Sequence, residues 1–245
     1  MKAIILAAGK GTRFHSERVK VLHEIQGKSL IQYVVELADA VGAQEKIVVV
    51  GYQGDEVIKS LQHIPNLRFV WQREQRGTGH AVMMAVPLLQ NDAGDVLILY
   101  GDVPGLRPET INAFREEQPR KKNVLTILTA VVPDPKWYGR ILKDKKGKVL
   151  GIREAKDCTE EELKIREINS GIMVVKIPFL LQALKQLTEQ NGQHEYYLTD
   201  IVGLACKEKK KVGTFQITDP DEIKGVNSLE ELEEMERILK GRVKP

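Results

Sequence analysis

The residues Leu6-Ala7-Ala8-Gly9-Lys10-Gly11-Thr12-Arg13 form a glycine-containing loop directly behind the apolar run Ala3-Ile4-Ile5-Leu6. Small residues there let backbone N–H groups approach phosphate oxygens, and Arg13 and Lys20 can neutralise the charge of such a ligand. The loop fits neither common phosphate motif. A Walker A loop needs Gly-Lys-Ser/Thr after its four-residue spacer, and a dinucleotide fingerprint needs a third glycine where Phe14 stands. On residue type alone, Gly-x-Gly after a strand also fits a plain turn, and Arg13 and Lys20 also fit surface cations. A second chemical marker is Asp102, behind the continuous apolar run Val96-Leu97-Ile98-Leu99. A carboxylate at the C-terminal end of a central strand suits Mg²⁺, a hard cation that prefers oxygen. With Pro104 close behind, Asp102 equally fits a turn.

Positioning these groups requires a sheet, and the first half of the chain has the pattern of one. Ala3 to Leu6, Lys46 to Val50, Leu67 to Trp71 and Val96 to Tyr100 read as strands. Helices are expected at Leu30 to Ala40, Asp55 to Leu61 and Gly77 to Leu89. Strand alternating with helix implies a parallel sheet covered on both faces. After about residue 120 longer strand-like segments dominate: Asn123 to Val132, Arg140 to Leu142, Val149 to Arg153 and Ile168 to Val175, with turns at Lys146-Gly147 and Asn191-Gly192. Ser228 can cap a final helix running to about Lys240, with Glu231 completing a capping box. No linker separates the halves. The expectation is one domain over 1–245, with a nucleotide-binding half (1–120), a sugar-phosphate-binding half (121–227) and a C-terminal helix (228–245).

Composition narrows the partners. The chain has 245 residues, 42% of them hydrophobic, and a net charge of +3, enough for a full core and too little charge to point to nucleic acid. The basic run Lys207 to Lys211 reads as a solvated helix end. The two cysteines, Cys158 and Cys206, have no metal-ligand spacing and read as free thiols of a cytoplasmic protein. The apolar opening is too short for a signal peptide or a membrane span, so no membrane partner is expected.

The longer string is more specific than its parts. Leu-Ala-Ala-Gly-Lys-Gly-Thr-Arg, followed by Lys20-Val21-Leu22-His23 and Gly27-Lys28, strongly resembles the signature of the sugar-1-phosphate nucleotidyltransferases. Within that superfamily it is most similar to the uridylyltransferase domain of the bacterial N-acetylglucosamine-1-phosphate uridylyltransferases. Similar motifs continue in order as Gln72 with Gln75 to Ala81, Tyr100 to Pro104, Tyr138 to Ile141, Glu154 to Asp157, Asn169 to Ile172, Glu195 to Asp200 and Gly225 to Asn227. The resemblance implies an α/β, Rossmann-like nucleotidyltransferase fold, its mixed, mainly parallel central sheet joined to a smaller sugar-binding subregion. It also implies transfer of a uridylyl group from UTP to N-acetylglucosamine 1-phosphate, with Mg²⁺ as cofactor and pyrophosphate as second product.

In that reading Arg13 and Lys20 are catalytic, stabilising charge that grows at the α-phosphate. Leu6, Ala7, Ala8, Gly9, Gly11, Lys20, Gln72, Gly77 and Thr78 hold the nucleotide. Tyr100, Gly101, Gly139, Glu154 and Asn169 hold the sugar phosphate, and Asp102 and Asn227 are the two protein ligands of the metal. Without the resemblance, Gly139, Glu154 and Asn169 would read as surface positions on strands, and Asn227 as a turn residue. His80 reads as structural, because an ionised phosphate nucleophile needs no general base.

The match has departures. Phe14 replaces a usual Met, and Val19 and Ser29 replace usual prolines; the loss of proline is expected to relax the backbone beside Lys20. The bifunctional relatives continue into a left-handed β-helix acetyltransferase domain, and none follows Pro245. Acetyl transfer is therefore not expected of this chain, nor is the trimer that the β-helix supports. Two alternatives remain: a related enzyme using another nucleotide or sugar, and a catalytically silent, nucleotide-sensing regulatory subunit.

Overall fold

The computed structural model describes residues 1–14 and 16–242; 243–245, the end of the expected C-terminal segment, lie outside the described residues. The chain starts with β1 (Lys2–Ala7), the small hairpin β2 (Glu24–Ile25) and β3 (Lys28–Ser29), α1 (Leu30–Ala40), β4 (Glu45–Val50), α2 (Gly54–Leu61) and β5 (Leu67–Trp71). Next come α3 (Thr78–Met84), β6 (Asp95–Tyr100), α4 (Pro108–Lys121) and β7 (Leu125–Val131). The hairpin β8 (Arg140–Lys143) and β9 (Val149–Arg153) leads through α5 (Glu160–Leu163) to β10 (Glu167–Lys176) and α6 (Ile177–Leu184). The last elements are α7 (Asp200–Lys207), β11 (Val212–Gln216) and α8 (Leu229–Arg242).

Nine strands form one sheet ordered β11-β7-β10-β6-β1-β4-β5, with the β8–β9 hairpin joined to β10. β1 pairs in parallel with β4 and β6, whereas β10 runs antiparallel to both β6 and β7. The sheet is therefore mixed and mainly parallel, as expected. Alternation along β1 divides the core: Ala3, Ile5 and Ala7 pack on the face covered by α1, α2 and α4, and Ile4 and Leu6 on the face covered by α3, α6 and α7. Continuous apolar runs suit strands that are covered on both sides.

Two expectations about helices need correction. The expected helix from Gly77 to Leu89 is shorter: α3 ends at Met84 and a separate 3-10 turn covers Val86–Leu88. Pro87 cannot continue an α-helix, because its ring would strike the carbonyl of Met83 and it has no N–H to donate. Gly77 lies outside the helix with φ +97, a conformation that suits glycine. At α8 only half of the capping box forms. The Ser228 hydroxyl accepts from the Glu231 N–H at 3.2 Å, while the Glu231 carboxylate accepts from the Asn227 N–H at 2.7 Å, one residue before the cap.

Candidate active site

The C-terminal ends of β1, β4 and β5 meet through backbone groups. Tyr52 N–H donates to the Ala8 carbonyl at 3.3 Å, and Gln72 N–H to the Val50 carbonyl at 2.8 Å. A side chain on Gly51 would come within 2.7 Å of the Ala8 oxygen and 2.9 Å of the Gln72 oxygen. Leu6 and Ala7 are buried on opposite faces of the sheet, so their side chains support the loop and do not line the cleft. Gly9 opens onto free space. Gly11, at φ +61, lies so close to Lys20 that an added Cβ would reach the lysine Cβ at 2.6 Å. This approach folds the loop back and brings Lys20 to the cleft.

The departures from the resemblance are absorbed locally. Phe14, 2% exposed, packs with Ile25, Leu30, Val226 and Met235 in a small third core, tying the loop to α8. Val19 is buried at φ −53, ψ 130, and Ser29 stands at φ −66, ψ 151. Both positions keep a backbone conformation that proline would also adopt.

At the end of β6 the Lys20 ammonium lies 2.5 Å from Asp102 Oδ2 and 3.2 Å from Asn227 Oδ1, and Arg13 Nη2 donates to the same Asn227 oxygen at 3.1 Å. Residues far apart in sequence thus converge on one point. Val226 N–H donates to the Asp102 carbonyl at 2.9 Å, so Asn227 is held by this bond and by the carboxylate of α8 that accepts its N–H. The arrangement tests the expected metal: two hard oxygens from Asp102 and Asn227 already point at a common positive charge. Among the described residues there is no group of three or more His, Cys, Asp or Glu that could hold a metal ion. A Mg²⁺ would therefore take its remaining ligands from water and phosphate, which suits this ion.

A cleft of about 260 Å³ opens beside this cluster. Its lining includes Arg13, Thr78, Asp102 and Asn227 together with Tyr100, Gly139, Glu154 and Asn169. Of the remaining expected residues, Lys20 reaches the cluster through its ammonium group. Gln72 lies behind the lining, 3% exposed, with its amide nitrogen donating to the Gly77 carbonyl at 3.0 Å and contacting His80 Nδ1 at 3.1 Å. Gly101 is spent in the sheet, its N–H donating to the Leu6 carbonyl at 2.9 Å.

Asn169 owes its place to an irregularity in β10, whose register with β7 shifts between Asn169 and Met173. Within that shift Gly171 takes φ +83, and a Cβ there would come within 2.6 Å of the Tyr100 ring. The Gly171 N–H donates to Asn169 Oδ1 at 2.9 Å, leaving the amide N–H groups as the donors a ligand can use. Glu154 accepts from the Thr199 hydroxyl at 2.8 Å. Burial pushes the Glu154 carboxyl above its ordinary range, the nearby Asp200 and Asp157 add to this, and the Thr199 hydrogen bond opposes it. Burial likewise raises the Tyr100 hydroxyl, helped by the charges of Glu154 and Asp102.

Sequence reasoning gave no role to Thr199, Trp137 or Tyr138, all at the cleft. Thr199 lies inside the motif from Glu195 to Asp200, and Tyr138 begins another, so motif membership was the available signal. Trp137 had none. The two halves are clamped at a third place, where Gly79 N–H donates to the Tyr196 carbonyl at 2.7 Å and Leu198 N–H to the Thr78 hydroxyl at 3.1 Å.

A loop behind the first strand of a covered sheet, with two cations and two oxygen donors at its mouth, defines an α/β domain built to handle phosphates. The chain belongs to the MobA-like NTP transferase domain family, whose model matches residues 3–164. It is 43% identical over 241 residues to the bifunctional protein GlmU of Geotalea daltonii, a match covering 98% of this chain and 53% of that protein. It is 44% identical over 240 residues to GlmU of Thermoanaerobacter pseudethanolicus, covering 98% and 52%. The chain thus spans about half the length of the curated relatives it matches. In fold it resembles a UDP-glucose pyrophosphorylase complexed with UDP-glucose, with a TM-score of 0.79, 20% identity and 98% of each chain covered. A putative glucose-1-phosphate thymidylyltransferase from Bacillus anthracis has a TM-score of 0.78 at 18% identity, covering 97% of this chain and 94% of that one.

Proposed function

We propose that this protein transfers a uridylyl group from UTP to N-acetylglucosamine 1-phosphate, giving UDP-N-acetylglucosamine and pyrophosphate. The observation that carries the reading is the meeting of Arg13, Lys20, Asp102 and Asn227 beside a cleft that Glu154 and Asn169 also line. Similarity to the GlmU proteins over nearly the whole chain supports the same substrates.

Ala8, Gly9 and Gly11 offer backbone donors to the triphosphate, with Thr78 at the start of α3 beside them. With its nitrogen already used, Gln72 presents its carbonyl oxygen to the uracil edge beside Gly77. Glu154 and the Asn169 amide receive the hydroxyl and acetamido groups of the sugar, against Gly139, Tyr100 and Gly101. An oxygen of the acceptor phosphate forms a bond to the α-phosphorus while the bond to pyrophosphate breaks in line with it. Arg13 and Lys20 gain most when charge is greatest, so they lower the barrier more than they tighten ground-state binding. Asp102 and Asn227 would hold Mg²⁺, which supplies charge neutralisation and orientation of the phosphates. The ionised phosphate nucleophile needs no general base, so His80, in contact with Gln72, keeps a structural role.

The division of one domain into a nucleotide-binding half, a sugar-phosphate-binding half and a C-terminal helix belongs to the same proposal, as does work in the cytoplasm. Both cysteines are free thiols, and among the described residues no helix is long and apolar enough to cross a membrane. The test is pyrophosphate release with UTP, N-acetylglucosamine 1-phosphate and Mg²⁺, repeated with other nucleotides and with glucose 1-phosphate. Release confined to the named pair supports the proposal. Release with a different pair moves the substrate, and release with none overturns the reading.

A further inference from the structure

The cleft mouth contains an aromatic side chain to which the reaction above gives no part. Trp137 is 52% exposed, unusual for the largest apolar side chain, yet the loop carrying it is tightly built. Lys136, at φ 44, donates its N–H to Asp134 Oδ1 at 3.2 Å, and Tyr138 N–H donates to the Pro135 carbonyl at 3.0 Å. The Arg140 side chain, 3% exposed, grips the loop from below, donating from Nη2 to the Lys136 carbonyl at 3.1 Å and from Nη1 to the Tyr138 carbonyl. These bonds fix the Trp137 backbone, so the indole projects from a rigid base into the space beside Arg13.

The Arg13 guanidinium carbon lies 5.5 Å from the centre of the Trp137 ring. Its edge meanwhile donates to Asn227 Oδ1 at 3.1 Å. A planar guanidinium can satisfy both contacts at once, its face on an aromatic ring and its edge on an oxygen acceptor. The Lys136 ammonium also lies 5.5 Å from the ring centre, so the indole faces two cations beside a site read as binding two anions. Arg13 is otherwise an exposed, rotamer-rich side chain on a short 3-10 turn, and its entropy must be lost before it can act at a defined phosphorus.

We propose that Trp137 is the positioning residue for Arg13: its indole, held by the Arg140-braced loop, keeps the guanidinium at the cleft mouth in the orientation used at the reacting phosphate. This rests on the functional reading above. Trp137 acts only through Arg13, so its removal lowers the rate without changing affinity for the sugar phosphate.

The experiment combines a mutant cycle with a spectroscopic signature. Trp137→Ala is expected to lower kcat about 2- to 5-fold, the range for an exposed cation–aromatic contact, with KM for N-acetylglucosamine 1-phosphate unchanged. Trp137→Phe is expected to recover most of the loss. In an Arg13→Ala background Trp137→Ala should have no further effect on kcat. With Trp71 replaced by Phe, so that Trp137 is the sole tryptophan, Arg13→Ala should change the tryptophan emission of the ligand-free protein. A loss that persists in the Arg13→Ala background overturns the inference, as does a raised acceptor KM, which would make the indole a sugar platform. Normal turnover by Trp137→Ala, or emission indifferent to Arg13→Ala, overturns it and leaves the functional reading standing. No turnover by the parent protein with any nucleotide and sugar phosphate overturns both.

Discussion

Two walls of the structure beside the cleft are made of different material. Where the loop behind β1 meets the ends of β4 and β5, and where α3 begins, backbone packs against backbone: Gly51 against Ala8 and Gln72, and Gly77 against Tyr196, where an added Cβ would lie 2.7 Å from the carbonyl oxygen. Around the end of β9 and the irregular part of β10 the polar contacts are carried by side chains, with Glu154 bonded to Thr199 and Asn169 held by the Gly171 N–H. The first wall is specified by absent side chains, the second by what Glu154, Thr199 and Asn169 carry, with Gly171 needed at the bend that places Asn169. Added atoms should therefore break the first, whereas isosteric exchanges should weaken the second and leave it folded.

The seam between the walls gives the largest expected effect. Asp102→Ala should reduce Mg²⁺-dependent turnover by at least about 10³-fold, with the cooperative unfolding transition retained; turnover near the parent level would remove Asp102 from the metal. Arg13→Ala should lower kcat about 10²-fold with small changes in either KM, and a loss appearing only in KM would make Arg13 a ground-state anchor. Gly77→Ala tests the backbone wall directly. Left-handed strain alone should cost about 1–3 kcal/mol, read as a fall in Tm of several degrees, and an unchanged Tm would contradict the steric account. Glu154→Gln should do the reverse, keeping the fold while raising the acceptor KM about 10-fold.

That last variant also has a pH signature. A carboxyl with a raised folded-state pKa costs the fold nothing while protonated, and it erodes stability as pH rises from its ordinary pKa through the raised one. Glutamine has no such loss. The Tm advantage of Glu154→Gln should be small in acid and grow toward neutrality; a difference independent of pH would show that burial does not strain this group.

How much of this was legible in sequence follows the same division. The first-half strands and α1 were readable because their periods are strong: α1 runs over Leu30–Ala40 as its apolar spacing predicts, and β5 over Leu67–Trp71. No expectation was formed for α4, which is rich in charge and carries Pro119 near its end, or for α6 behind Pro178. There, packing on the sheet outweighs local preference. Arg13, Lys20 and Asp102 could be nominated from residue type and strand position. Asn227 could not, because its role depends on Val226 joining Asp102 and on a helix cap that borrows its N–H. Trp137 was invisible for a similar reason, since its partner lies far away in sequence and the loop that aims it depends on a buried arginine.

The shifted cap of α8 has a consequence in time. Its Glu231 carboxylate spans the helix start to fasten Asn227, and Met235 of the same helix packs on Phe14 beside the first loop. A ribosome that has finished Asp102 has still to make about half of the chain before Asn227 exists, and further turns of helix before anything holds it in place. Until then a nascent chain has the loop behind β1 and its first strands but only one of the two proposed metal donors, so in the functional reading above the final helix determines when synthesis first yields a complete site.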